Sequence, residues 1–370
     1  MRFLLLLVFV FSVSCSQAPL NPLDKALSSK NDKIRRVMDS LEQHEVQILF
    51  TEVSKGISKE PTFKDYQFQV NDSNYFYPAS TVKFPIAILA LEKLNEDNRF
   101  DRTTNFFVEG DSLTTTFASE IKKIFAVSDN QSSNRLFEYL GQNEINNRLK
   151  SKGIKARISH RLSTPNSDEL TTKSLIFYIN DSTTTPTQPI VNNSLQKLTI
   201  NKLKKGKGYM DEGELINEPM DFSLKNYLPL TSLHNIMKQL IFPDIYPKHK
   251  QFHLTESDRT FLMEMMNISP RKAGYNSDEY YDSYVKFLVF GDDKEPIPDY
   301  IKIYNKIGYA YGYLTDCAYI KNNKTNKEYI ITATVHTNKN SIYNDGVYET
   351  ETIGIPFLAE LGRQLVDMDE

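Results

Sequence analysis

Cysteine is scarce in this 370-residue sequence: only Cys15 and Cys317 occur, so at most one disulfide could form. An excess of either charge is missing as well. With 44 Lys and Arg against 47 Asp and Glu, the formal net charge is −3. Such a balance argues against nucleic acid as a principal partner. Histidines in a ligand pattern are lacking too. His160, His234 and His336 are isolated in sequence. His249 and His253 share the i, i+4 spacing of H-E-x-x-H, but Lys250 stands where the glutamate would be, and Pro247, Lys248 and Lys250 indicate a basic loop. No metal and no cofactor is expected. The N-terminal apolar run, Phe3 to Phe11, is too short to span a bilayer.

That run follows Arg2 and ends in Ser12-Val13-Ser14-Cys15, which has the form of a signal peptide over residues 1–14. Small residues directly before a cysteine resemble a bacterial lipobox. The expectation is an exported lipoprotein of the cell envelope, periplasmic or outer-membrane anchored, with acyl chains on Cys15 and a short tether over residues 15–23. A plain secretory signal is the alternative. With Cys15 lipidated, Cys317 is a lone thiol. Its setting, Leu314 to Ile320, reads as a buried strand in which a thiol packs rather than reacts.

What is present is enough apolar residue for a large core in one domain or two lobes. Asp24 to about Gln43 carries apolar residues at helical spacing. Val46–Val53 and Phe63–Val70 read as a β-hairpin. A helix from Ser80 ends near Asn95, and from there to about Gly291 the pattern is mainly helical, with helices at Phe117–Val127, Gln131–Leu140, Glu144–Lys150, Leu230–Phe242, Glu256–Asn267 and Asp278–Phe290. Tyr275, Tyr280, Tyr281 and Tyr284 read as packing residues of the last of these. Three strands follow, at Tyr300–Lys306, Gly312–Ile320 and Glu328–Thr337, and Thr352–Val366 closes the chain as a helix. The expected fold class is α/β plus all-α in two lobes. One antiparallel sheet joins the N- and C-terminal strands, flanked by the terminal helices, and a helical lobe spans residues 80–295 or so. The Thr-, Pro- and Asn-rich segment 180–224 reads as an insertion, a hairpin on the helical lobe with solvated lysines.

One stretch stands out. Tyr77-Pro78-Ala79-Ser80-Thr81-Val82-Lys83-Phe84-Pro85 leads into the apolar run Ile86–Leu91. A helix apolar on all sides is buried. Ser80 at its start meets unpaired backbone N–H groups, and Lys83, three residues on, shares its face. The pair suggests a nucleophile beside its base. Pro85 cannot donate to the carbonyl of Thr81, so a tight or irregular first turn is expected. Ser-x-x-Lys also occurs at Ser119, Ser194, Ser269 and Ser283. Context has to choose among them.

Two further signals supply it. Ser128-Asp129-Asn130 falls between two helices, and Lys306-Ile307-Gly308 lies on a strand that continues through Tyr309 to Gly312. In this order the three resemble S-x-x-K, S-D-N and K-T-G of the serine β-lactamases and penicillin-binding proteins, most closely the class A β-lactamase-like family. Phe84-Pro85, Asn134, Leu136, Tyr311-Gly312 and Asp316 extend the likeness over most of the mature chain outside the insertion. The resemblance implies one catalytic domain over residues 24–370. It implies an acyl-enzyme on Ser80, Lys83 as its base, Ser128 as proton donor to the leaving atom, and Lys306 as the positive charge for a substrate carboxylate and for Ser128. Lys83 can act so if burial and nearby Lys306 depress its pKa. Asn130, Gly308 and Tyr309 are the substrate-binding positions, with the backbone N–H groups of Ser80 and Tyr309 as oxyanion hole.

Two departures bear on substrate. Ile307 stands where the family has a Thr or Ser hydroxyl. Ser163 or Thr164 takes the approximate place of the deacylating glutamate, leaving Asp168 and Glu169 as candidate bases. The resemblance therefore implies a monomeric serine hydrolase acting on a β-lactam or a related amide or ester, with slow deacylation. Its partners are a small-molecule or peptidoglycan-derived substrate and, through Cys15, a membrane. The alternatives are a peptidoglycan D-Ala-D-Ala carboxypeptidase or esterase, and a non-catalytic anchored binding protein that kept the fold.

Overall fold

Both ends of the chain supply strands of matching length, and they meet in one sheet. The computed structural model describes residues 20–56 and 60–368; the signal segment, Cys15 and most of the tether lie outside them. In spatial order the strands are Ile301–Ala310, Tyr313–Asn322, Lys327–His336, Gln47–Lys55 and Pro61–Phe68. Every neighbouring pair is antiparallel. Ile301–Ala310, which carries the third motif, is therefore an edge strand.

The sheet buries both faces. On one, the helices Pro22–Leu27, Asp32–Met38 and Ile355–Leu365 bring Leu23, Ile34, Leu358 and Leu361 onto Ile48, Phe50 and Ile331. On the other, Val53, Cys317, Tyr319 and Ile330 join the core of the helical lobe. The expected two-lobed class of a sheet with flanking helices and a helical lobe is the observed one, and the helical lobe also carries a small sheet of Asn105–Val108, Thr115–Thr116, Leu175–Asn180 and Thr183–Pro186. Burial pushes the Cys317 thiol far up, so it packs as an inert side chain. The middle of the helical lobe is Lys83–Leu94, of whose twelve residues eleven are buried. A Leu89→Ala cavity there would cost about 2–5 kcal/mol. Among the described residues no helix is long and apolar enough to cross a membrane.

Three expected elements differ. Asp24 to Gln43 is two short helices and a 3₁₀ turn, because Asn31 caps a second start: its Oδ1 accepts the Lys33 amide. The last helix is regular only from Ile355, after a π turn over Thr350–Gly354. Residues 278–290 form turns rather than a helix. Val285, Lys286, Phe287, Leu288 and Val289 are all buried, which no single helix face permits. The amides of Phe287 and Leu288 go instead to the Asp316 carboxylate, at 3.0 and 3.1 Å.

The 180–224 segment reaches beyond the helical lobe. Its hairpin, Gly208–Asp211 with Glu214–Ile216, adds a parallel pairing to Ile342–Tyr343, past the last long strand. Lys205 is buried and bonded to Glu45 at 2.6 Å, so its lysines are not all solvated.

Candidate active site

Ser80 lies in the 3₁₀ turn Ala79–Val82, and the regular helix begins at Lys83. The irregular entry that Pro85 predicts is present. Thr81 fixes it, donating both its amide (3.1 Å) and its hydroxyl (2.7 Å) to the carbonyl of Pro78. Ala79 is driven to φ +46°, a conformation that costs a non-glycine residue about 1–3 kcal/mol. The edge strand runs directly against this turn at Gly308: a Cβ there would lie 2.5 Å from the Pro78 carbonyl oxygen and 2.9 Å from Thr81 Cγ2. Only glycine lets strand and turn approach closely enough to set Tyr309 beside Ser80.

The remaining motif residues converge on the same spot. Ser128, itself at φ +58°, precedes Asp129, whose side chain caps the helix Asn130–Leu140 by accepting the Ser132 amide at 2.7 Å. The Lys83 ammonium donates to the Ser128 carbonyl, to Asn130 Oδ1 at 2.7 Å and to Ser128 Oγ at 3.4 Å. Lys306 Nζ donates to Ser128 Oγ at 2.7 Å and to the carbonyl of Ile307 at 2.9 Å. Ser128 thus stands between two lysines.

Burial depresses both. Lys83 is pushed down to about 7, chiefly by desolvation, against the attraction of Asp129. Lys306 falls well below the usual lysine range through its burial and then the charge of Lys83. Burial, and not the expected charge of Lys306, thus depresses Lys83, whereas the charge of Lys83 does act on Lys306. Two Lys306 donors go to Ser128 and to its own strand, and the residue lines neither cavity beside Ser80.

Asn130 links these groups to the loop after the second motif. Its Oδ1 faces Lys83, and its Nδ2 donates to Ser163 Oγ at 2.9 Å. Ser163 occupies the position beside Asn130, while Asp168 and Glu169 are exposed and line neither cavity at Ser80. The cause is the buried pair of Arg161 and Glu138, bidentate at 2.5 and 2.8 Å. Arg161 also holds the carbonyl of Glu169 at 2.9 Å and turns that part of the loop outward.

Two cavities meet at Ser80, Asn130 and Tyr309. One, of about 520 Å³, runs along Tyr77, His160, Ser163, Lys225, Tyr311 and Tyr348. Desolvation, with the charge of Lys225 next, pushes His160 down to about 4, so it is neutral at pH 7. The other, of about 460 Å³, contains Ser128, Tyr281, Tyr284, Phe287, Ile307 and Glu351. Tyr281 and Tyr284 thus wall a groove instead of packing a helix. Sequence spacing carries no signal for them, for Glu351 or for Lys225. Among the described residues no three His, Cys, Asp or Glu side chains gather as metal ligands. His249 lies in a 3₁₀ turn and His253 beyond it.

Comparison with known proteins agrees with this geometry. The model of the β-lactamase enzyme family matches residues 30–255, more than half of the chain and including Ser80 and Ser128. A β-lactamase from Xanthomonas campestris pv. campestris is similar in structure over 94% of this chain and 99% of its own, with TM-score 0.53 and 14% identity. One from Desulfarculus baarsii covers 94% and 99%, with TM-score 0.52 and 12% identity. A variant of PBP-A, solved as its acyl-enzyme with penicillin G, covers 95% and 100%, with TM-score 0.50 and 14% identity. At such identities the likeness is one of fold. No curated protein sequence matches the chain. The family match and the shared fold give one answer: the chain is a serine hydrolase of the β-lactamase enzyme family.

Proposed function

We propose that Ser80 is the nucleophile of an acyl transfer on β-lactams or related amides and esters, and that the acyl-enzyme formed is long-lived. The observation that carries this reading is the hydrogen-bonded set Lys83, Ser128, Asn130 and Lys306 beside Ser80, with Ser163 bonded to Asn130 where a deacylating carboxylate would stand.

Ser80 Oγ adds to the substrate carbonyl carbon and its proton passes to neutral Lys83, whose depressed pKa leaves it partly unprotonated at pH 7. In the resting arrangement all three Lys83 donors point to acceptors other than Ser80; loss of one proton frees a lone pair for the hydroxyl. The oxyanion is held by the backbone N–H groups of Ser80 and Tyr309, each worth roughly 3 kcal/mol. Its collapse breaks the bond to the leaving nitrogen or oxygen, which takes the Ser128 proton; Lys83 replaces that proton. Hydrolysis of the acyl-enzyme then needs a water and a base. The hydroxyl of Ser163 cannot accept a proton as a carboxylate does, so this step lags.

Incubation with a fluorescent penicillin, followed over time by intact mass beside a Ser80→Ala control, tests the reading. A persistent adduct on the wild-type chain alone is expected. No adduct and no turnover at any time would end the β-lactam reading, and rapid turnover would end the claim of slow deacylation. Export and lipidation at Cys15 belong to the same proposal. Labelled palmitate should enter the chain in a bacterial host and fail to enter the Cys15→Ala chain.

A further inference from the structure

The groove changes chemical character across Ser80. Ser128 Oγ, the proton donor to the leaving atom in the reading above, lines only the 460 Å³ cavity. The leaving group must therefore extend into that half. Asp129 and Glu351 are the only charged side chains among its lining residues, and both are acidic. Around them stand phenol rings: Tyr284 and Tyr309 are 38% and 49% exposed, and Tyr281 meets Tyr284 edge-on at 6.0 Å between centroids.

Such a lining treats the two signs of charge unequally. A departing carboxylate would meet the like charge of Glu351, with Asp129 turned to the Ser132 amide, and the Ile307 side chain offers it no hydroxyl. Lys83 and Lys306 lie behind Ser128, outside the lining, and bond to protein acceptors. A departing ammonium would meet the opposite charge of Glu351 and the electron-rich faces of the tyrosines. Tyr281 already shows that its ring takes a cation: Lys294 Nζ, which is not part of the lining, sits 5.3 Å from its centroid.

We propose that this half of the groove selects substrates whose leaving amine, alcohol or thiol carries a positive charge, held between Glu351 and the rings of Tyr281, Tyr284 and Tyr309. The proposal rests on acylation at Ser80. It disfavours a D-Ala-D-Ala carboxypeptidase and makes acylation by penicillins slow, because in both the departing nitrogen carries a carboxylate beside it.

The test uses the full chain and three phenylacetyl thioesters differing only in the thiol: thiocholine, ethanethiol and 3-mercaptopropionate. Each kcat/KM is divided by the rate of hydroxide hydrolysis, which removes differences in thiol acidity. The normalised value for the thiocholine ester should exceed that for the mercaptopropionate ester by about tenfold or more. Glu351→Gln should shrink the ratio several-fold, and Glu351→Lys should invert it. A ratio near one or below, with the ethanethiol ester still acylating Ser80, overturns the charge preference and leaves the acylation reading standing. A ratio unmoved in both Glu351 variants overturns the assignment to Glu351. If intact mass shows no adduct on Ser80 and no thiol is released from any of the three, the acylation reading falls and the preference with it.

Discussion

The two halves of the groove are built from different parts of the molecule. The half beyond Ser128 is walled by Val285, Phe287, Ile307 and Ile355, which belong to the core between sheet and helices. Its shape is set by buried polar groups: Asp316 holds the amides of Phe287 and Leu288, Asn305 bonds Asp316 at 2.8 Å, and Lys286 bonds Asn305 at 2.7 Å. The other half is walled by segments outside the sheet, Lys225 and Asn226 on one side and Asn344, Gly346 and Tyr348 on the other. One half is fixed by the core that makes the chemistry possible. The other is walled in part by loops, where changes of sequence are better tolerated.

The largest test of this division is Ser128→Ala. It should slow acylation by an amide about 10³-fold, and by a phenyl ester far less, because a phenolate leaves without a proton. Equal losses in stopped-flow acylation would mean that Ser128 does not serve the leaving side. Gly308→Ala comes next. Its methyl group would sit 2.5 Å from the Pro78 carbonyl oxygen and push the edge strand off the Ser80 turn. Acylation should fall about 10²-fold for amides and esters alike, the loss typical of a displaced oxyanion donor.

Ser163→Glu sharpens the contrast from the other side. A carboxylate beside Asn130 should hasten release of the penicilloyl group by about tenfold or more, seen as the lifetime of the intact-mass adduct, with little change in acylation. The pH profile follows in size. Only unprotonated Lys83 can take the Ser80 proton, and its pKa is about 7. Acylation by a neutral ester should rise with pH, by nearly tenfold per unit below 7, and level off above about 8. A profile flat from pH 5 to 8 would remove Lys83 as the base. The smallest effect belongs to the outer half: Lys225→Met should weaken acyl groups that carry a carboxylate by a few-fold in KM, leaving neutral ones unmoved.

Much of this arrangement is legible in the sequence because it is local or periodic. Strand runs at both ends give the sheet, the apolar run after Lys83 gives the buried helix, and three short motifs in order single out Ser80 among five Ser-x-x-Lys matches. What is not legible depends on distant partners. The course of the loop through Ser163 follows from the pairing of Arg161 with Glu138, 23 residues earlier, which is why Asp168 and Glu169 turn outward. Residues 278–290 have the composition of a helix, yet Asp316 claims the amides of Phe287 and Leu288. Tyr284 and Glu351 meet only in the folded chain, so the charge character of the leaving side has no signature in spacing.

The small parallel pairing of Gly208–Tyr209 with Ile342–Tyr343 has a consequence of another kind. With the bond from Asn344 Nδ2 to the Met210 carbonyl at 2.9 Å, it clasps the 180–224 segment to the loop carrying Asn344, Gly346 and Tyr348. The 180–224 segment lines no part of the groove itself, but it leads directly into Lys225 and Asn226, so the clasp couples the two sides of the outer wall. A lineage exchanging one without the other would lose the clasp, and one exchanging both would acquire a new substrate range on an unchanged engine.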